Sequence, residues 1–274
     1  MSAVVFKHFA PSKISLFLRR GLSLTPPIYL NDAFEFAAPV DPTPEKEVHA
    51  WFDRFVRDEY DKASVWTRLL PLEQFREQLE HFRAGYVEAF RCSDFLKVSS
   101  HFIWETLRTF WGVTCFTEVP DNRLMWAHYS DSLKGFVAEF ATDGEDVLHD
   151  IAVRWSKFGP LLKVTYQAPP PRLAWRCSNT MKCCCTKHSD WSYEREWRVV
   201  LPMSVGKLRD DTTHRYIQFP PESLRRVICG NQMSSEDRQK LRTMLSESCF
   251  AHVSWQIAFP NLETHEIQIN SLTN

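Results

Sequence analysis

The sequence predicts an α+β fold, and three observations carry that expectation. Apolar residues run in short blocks or alternate at the start of the chain and again beyond residue 110, as strands do. Between them, from Pro44 to about Phe110, the period changes to that of a helix. The 8 glycines (Gly21, Gly85, Gly112, Gly135, Gly144, Gly159, Gly206 and Gly230) are too scattered for G-x-G-x-x-G or a Walker A loop, which excludes a Rossmann or P-loop phosphate cradle.

Taken in order, Val4 to Phe9 reads as a strand, and Ser12 is placed to cap a short helix, Lys13 to Arg20, that stops at Gly21. Leu22 to Thr25 is a second strand, and Pro26-Pro27 forces an extended turn before the polar loop Tyr29 to Glu35. In the helical block, Val48, Trp51, Phe52, Phe55 and Val56 make one apolar stripe, and Leu72, Phe75, Leu79 and Phe82 make another after Pro71. Strand signals return at Trp111–Thr117, Gly135–Phe140, Leu161–Tyr166, Glu196–Leu201, Arg215–Phe219, Arg226–Cys229, His252–Ala258 and Glu266–Ile269. One helix lies between Cys229 and His252, opened by Ser234 with Asp237 three residues on and turning Leu241, Met244 and Leu245 inward. Pro169-Pro170-Pro171 marks a turn. The expected organisation is one domain over 1–274 with a helical insertion at about 44–110.

With 274 residues, 44% of them hydrophobic, the chain can bury a sizeable core, and most of its 10 Trp and 20 Phe belong there. A net charge of −1 denies the whole molecule the basic field that drives unspecific nucleic-acid binding. Lys7 and His8 stand where a signal peptide needs its apolar run, and no uncharged stretch reaches the roughly 20 residues of a membrane span. The expectation is a cytoplasmic protein without membrane contact whose 8 cysteines are thiols.

Trp191-Ser192-Tyr193-Glu194-Arg195-Glu196-Trp197-Arg198 runs into the apolar Val199-Val200-Leu201. If extended, it puts Ser192, Glu194, Glu196 and Arg198 on one face. Two neighbouring carboxylates repel, and one pKa rises unless a cation such as Arg198 offsets them. The alternative is a solvated edge face. Cys115-Phe116-Thr117-Glu118 and Met125-Trp126-Ala127-His128-Tyr129 combine stacking surface with hydrogen-bonding groups, a wall for a flat ring, although each residue alone is as well explained by the core. Cys115 with His128 as base could form a nucleophile. Cys177, Cys183-Cys184-Cys185 and His188 suggest zinc, but three adjacent cysteines cannot all face one ion, and no metal is expected. From Arg154 to Arg198 nine Lys/Arg (Arg154, Lys157, Lys163, Arg172, Arg176, Lys182, Lys187, Arg195, Arg198) meet three acids, a locally basic stretch suited to phosphates of a nucleotide or RNA, or a soluble face.

In order, Lys7-His8-Phe9, Leu30-Asn31-Asp32-Ala33-Phe34-Glu35, Cys115-Phe116-Thr117-Glu118, Met125-Trp126-Ala127-His128-Tyr129, Gly135-Phe136 and Trp191-x-Tyr193-Glu194-x-Glu196-Trp197-Arg198 resemble a bacterial family, domain of unknown function 2971, itself similar to ADP-ribosyltransferases, some of which act as toxins in phage defence. The resemblance implies a split, mostly antiparallel sheet with NAD in the cleft and a macromolecular acceptor, RNA or protein, with a neutralising antitoxin as a possible partner. It implies catalytic roles for Glu196, Glu194, His128 and Tyr129. Cofactor contacts would come from Lys7, His8, Asn31, Asp32, Thr117, Trp126 and Arg198. His8 would hold the nicotinamide ribose, Tyr129 and Trp126 would stack on nicotinamide, and Arg198, Lys187 and Lys7 would meet the pyrophosphate. His8 departs from the tyrosine common after this lysine in the family.

Two further readings stand beside this one: a non-catalytic RNA- or nucleotide-binding protein, and a hydrolase built on Cys115 or the Glu194/Glu196 pair. Glu196→Gln is expected to abolish turnover at unchanged stability. The helical insertion, with twelve acids and ten bases, is expected to be a lid or partner-docking element and a poor nucleic-acid binder.

Overall fold

The computed structural model describes residues 4–37, 39–63, 70–142, 161–174, 183–208 and 214–271. Its elements are β1 (Val4–Phe9), α1 (Ile14–Leu18), β2 (Gly21–Leu24), β3 (Val40–Asp41), α2 (Glu45–Lys62), α3 (Leu72–Arg91), α4 (Ser93–Phe110), β4 (Trp111–Thr117), α5 (Arg123–Tyr129) and β5 (Phe136–Ala141). They continue with β6 (Leu162–Lys163), β7 (Thr165–Tyr166), β8 (Leu173–Ala174), β9 (Thr186–Lys187), β10 (Glu196–Pro202), β11 (Lys207–Leu208) and β12 (Arg215–Gln218). The last are β13 (Leu224–Gly230), α6 (Ser235–Leu245), β14 (Ser254–Pro260) and β15 (Ile267–Ser271).

Two compact units divide the chain. The first holds residues 1–36, 107–169 and 184–274, and its main sheet has eight strands in the order β15-β14-β13-β5-β1-β4-β10-β6. Every pairing in it is antiparallel except β13 with β14. A three-stranded sheet, β11-β12-β2, is also antiparallel. The apolar residues of β1, β5, β13 and α6 close a core that includes Val5, Phe9, Phe17, Phe136, Phe140, Val227 and Leu241.

One feature of β4 positions the site. Along one edge it pairs with β10 over its whole length, from Glu196 opposite Thr117 to Pro202 opposite Trp111. Along the other edge it changes partner: Phe6 of β1 lies opposite Thr117, whereas Val113 exchanges two backbone hydrogen bonds with Thr25, just past β2. Between those two pairings β1 and β2 diverge, and the carbonyl of Cys115 accepts from Lys7 Nζ at 2.8 Å instead of from a strand. Gly112 permits the approach of β2, because a Cβ there would lie 2.5 Å from Leu24 Cγ and 2.6 Å from Met203 Sδ.

The second unit holds residues 37–106 and 170–183. Its core is the stripe expected on α2, where Val48, Trp51, Phe52 and Val56 are buried against Leu72, Phe75, Leu79 and Tyr86 of α3. Phe82, expected on the inward stripe of α3, is instead 52% exposed. The first helix also differs from expectation. Ser12 caps nothing; a 3-10 turn over Pro11–Lys13 leads into α1, and the left-handed residue after it is Arg20, at φ 60°, not Gly21. Gly21 already belongs to β2, where a Cβ would lie 2.3 Å from Leu16 Cδ1. Ser234 does cap α6, accepting from the backbone N–H of Asp237.

Candidate functional site

The gap between β1 and β2 along the edge of β4 opens a cavity of about 390 Å³ within the first unit. Its polar lining includes Lys7 and His8 from β1, Asn31 and Glu35 from the following loop, Cys115 and Thr117 from β4, His128 and Tyr129 from α5, and Lys187, Glu194 and Glu196. Ten of the candidates the sequence singles out line this cavity: Lys7, His8, Asn31, Cys115, Thr117, His128, Tyr129, Lys187, Glu194 and Glu196.

The expected extended run through Glu194 is not what forms. Residues Ser189–Glu194 make a 3-10 turn, and Arg195 follows in the left-handed region at φ 44° before β10 begins at Glu196. That reversal leaves Ser192 exposed yet turns Glu194, Glu196 and Arg198 all inward. The three are 2%, 4% and 0% exposed, so the solvated-face alternative fails.

Arg198 uses each of its donors. Nε and Nη2 reach Glu196 at 2.8 and 2.9 Å, Nη1 and Nη2 reach Glu35 at 2.8 Å each, and Nη1 also reaches the Cys184 carbonyl at 2.8 Å. Lys187 lies 2.7 Å from Glu194, 3.2 Å from Glu35 and 3.6 Å from Glu196, with its ammonium over the Trp191 ring. Three carboxylates thus face two cations away from bulk water, a geometry stable only while all members are present. The expectation that Arg198 and Lys187 meet a pyrophosphate is corrected, since both are already committed to carboxylates. The expectation of unchanged stability in Glu196→Gln is corrected for the same reason.

The two glutamates are driven apart. Burial raises the pKa of Glu194, and the nearby charge of Glu196 adds to the rise, against the ammonium of Lys187. Burial acts on Glu196 in the same sense, but Arg198 and Lys187 outweigh it and hold that carboxyl down at about 2. Glu194 Oε1 accepts from the hydroxyl of Tyr129, which itself accepts from Asn31 Nδ2, so a polar chain runs from an exposed amide to a buried carboxylate. Burial and Glu194 push the Tyr129 phenol well above its ordinary value, and it remains a donor. The backbone N–H of Glu196 donates to Tyr166 Oη at 2.7 Å.

On β1, burial and the charge of Lys7 lower the pKa of His8 to about 3, so the imidazole is neutral. Burial likewise lowers that of Lys7. Cys115 shares a hydrogen bond with Glu196, and burial, followed by the charge of Glu196, pushes its thiol well up. That environment opposes the thiolate a nucleophile needs, which removes support from a Cys115 hydrolase.

Arg198 stands behind the cavity lining, and two further candidates also lie outside it. Trp126 is 1% exposed, its indole N–H donates to the Pro120 carbonyl at 2.7 Å, and it packs with Phe6, Leu133 and Val137, so it offers no ring face to a ligand. Asp32 is buried and accepts from the backbone N–H of Phe34 at 2.9 Å, closing a turn outside the cavity lining. Among the cysteines, Cys183 and Cys184 are buried and Cys177 lies outside the described residues. Among the described residues no three His, Cys, Asp or Glu side chains gather as metal ligands. Of the basic stretch, Arg154, Lys157, Arg176 and Lys182 lie outside the described residues, while Lys163 pairs with Glu118 and Arg172 with Asp41.

Glu35, Ser130 and Tyr166 support the site without having been assigned to it by sequence. Glu35 ends the N-D-x-F-E string, which was the available signal; nothing in the sequence marks Ser130 or Tyr166. Among the described residues no helix is long and apolar enough to cross a membrane. No curated protein and no solved structure matches the chain. The family model described as Protein of unknown function (DUF2971) matches residues 125–199, so the segment from α5 through the Glu194/Glu196 turn to the start of β10 is similar to that family.

Proposed function

We propose that the chain is a cytoplasmic NAD-dependent ADP-ribosyltransferase that modifies a macromolecular acceptor, RNA or protein, as a toxin or phage-defence effector. The observation that carries this reading is the pairing of Glu194 and Glu196 in one cavity with their pKa values displaced in opposite directions, the pattern that separates a proton-handling carboxyl from a charge-stabilising one. The break between β1 and β2 along β4 supports it, because it is a split in a mostly antiparallel sheet. NAD supplies an activated ribosyl group whose bond to nicotinamide breaks with positive charge growing on the ribose carbon.

Glu196, ionised and fixed by Arg198, would supply a negative charge to oppose that positive charge without having to reorganise. Glu194, with its raised pKa, takes the proton from the acceptor atom that forms the new bond and releases it to solvent. Lys187 and Tyr129 orient Glu194 from either side. The cavity, near the lower end of the roughly 300–1,000 Å³ usual for ligand sites, fits the nicotinamide–ribose half of the cofactor. Of the three cations expected at the pyrophosphate, Lys7 remains, with Lys13 also on the wall.

A non-catalytic nucleotide-binding reading is favoured by one observation: both oxygens of Glu196 already accept from Arg198, as in a purely structural network. Incubation of the purified chain with labelled NAD and cell extract decides between them. Label on RNA or protein, lost in Glu196→Gln, is the expected result, and label released as free ADP-ribose would indicate hydrolysis. Binding of NAD without any consumption would sink the enzyme.

A further inference from the structure

Of the basic stretch read from sequence, Lys187 and Arg198 are buried among carboxylates, and Lys163 and Arg172 are paired with acids. A second asymmetry of charge lies at the start of the chain. Residues 1–31 hold Lys7, Lys13, Arg19 and Arg20 and no Asp or Glu. They include β2, whose sheet, β11-β12-β2, adds Lys207 and Arg215, again without an acid in its strands.

The register places Tyr216 of β12 between Ser23 of β2 and Lys207 of β11, so the three side chains form a row on one face of that sheet. Leu22, Leu24 and Ile217, which alternate with them, belong to the core, so the row faces away from it. Lys207 lies along this face and donates to Gln218 Oε1. Ser23 and Lys13 also line the cavity, so the row starts at its wall. Tyr29 and Phe34, on the loop after β2, are 75% and 76% exposed, and Tyr29 lines the cavity as well. The two acids of that loop are buried: Asp32 accepts from the Phe34 N–H, and Glu35 is held by Arg198. Glu236 and Glu247 flank Leu18, at the end of α1 away from Lys13.

A run of cations in segments that contain no acid suits a polyanion, and bare aromatic rings beside it suit flat, unpaired groups on that polyanion. An acidic peptide would engage the cations and leave the rings idle, and a duplex would keep its bases stacked out of reach. We propose that the outer face of β11-β12-β2 and the loop 29–34 bind a single-stranded polynucleotide, with phosphates at Lys13 and Lys207 and an unpaired base stacked on Tyr29 or Phe34 at the cavity. The role of this strand as acceptor, which makes the acceptor a nucleic acid and not a protein, rests on the ADP-ribosyltransferase reading. Its binding does not.

The test is fluorescence anisotropy of a labelled RNA of about 12 nucleotides, titrated with the full chain without NAD. Binding should weaken as salt rises. Lys207→Gln should lessen the slope of log affinity against log salt by about 0.7, the value of one phosphate contact. Phe34→Ala should weaken binding about tenfold while the slope holds. Both side chains are exposed, so neither change disturbs the core, and Lys46→Gln on α2, in the other unit, should alter neither quantity. Equal binding of the matching duplex or of polyglutamate would overturn the proposal. So would an affinity indifferent to both Lys207 and Phe34. RNA binding with no transfer of label from NAD would refute the enzyme and leave this surface standing. Transfer to protein by a chain that binds no RNA would do the reverse.

Discussion

Arg198 on β10 and Glu35, 163 residues apart in the chain, form a two-pronged ion pair in which Nη1 donates to Oε2 and Nη2 to Oε1, each at 2.8 Å. The guanidinium fork also spans Glu196, so one planar cation holds the loop after β2 against the strand that carries the candidate catalytic carboxylate. Lysine cannot reproduce this, because its donors radiate from a single point. Arg198→Lys should therefore lower unfolding stability by about 3–5 kcal/mol, as expected for a broken buried ion network. Chemical denaturation measures it, and a loss below about 1 kcal/mol would mean the network behaves as a surface one.

The two glutamates should separate in kinetics and in stability. Glu196→Gln removes charge facing both Arg198 and Lys187, so it should cost stability as well as reduce kcat by about 10²-fold or more. Glu194→Gln relaxes a residue whose burial already disfavours its charge, so its stability cost should be smaller while kcat still falls. Denaturation midpoints and single-turnover transfer on both variants check the ordering. Equal stability losses with unequal rates would show that Glu194 is as tightly locked as Glu196.

The helical block and most strands were legible because periodicity reports the face a residue buries, as Val48, Trp51, Phe52 and Val56 illustrate. The gathering of Glu194, Glu196 and Tyr129 was legible as chemistry-bearing residue types at short spacing, but its geometry was not. Alternation assumes an unbroken strand, whereas the left-handed Arg195 inserts a reversal that no local pattern in the sequence announces. Trp126 failed as a ligand-stacking residue because its neighbours in sequence line the cavity while the helix turns Trp126 itself to the opposite side, under β1. Glu35 was hidden because the partner that gives it meaning, Arg198, is distant in sequence.

Stability should fall with acid in two stages. His8 has a folded-state pKa of about 3 against 6.5 unfolded, so below pH 6.5 the unfolded chain takes up a proton that the folded one refuses. Glu196 has a folded-state pKa of about 2 against 4.5, so its contribution is whole above pH 4.5 and is lost as pH falls toward 2. Neither group destabilises above pH 6.5. Denaturation midpoints in the wild-type protein should decline between pH 6.5 and 4.5 and more steeply below. His8→Gln should flatten the upper stage alone; an unaltered upper stage in that variant would assign it to other groups.

Tyr129→Phe tests the polar chain that runs from Asn31 to Glu194. The hydroxyl donates to Glu194 and helps hold its pKa down against burial, so its removal should raise the Glu194 pKa further. If Glu194 must be ionised to take the acceptor proton, the acid limb of the kcat profile should move to higher pH. Lys187 still faces Glu194 Oε2 at 2.7 Å, and Asn31 is exposed enough for water to replace the lost phenol. The stability cost should accordingly stay near about 1 kcal/mol, that of one ordinary hydrogen bond. A pH–rate profile recorded on wild-type protein and Tyr129→Phe decides the matter. An unmoved acid limb with full stability would show that the proton is handled elsewhere, with exposed His128 at the cavity wall the next group to substitute.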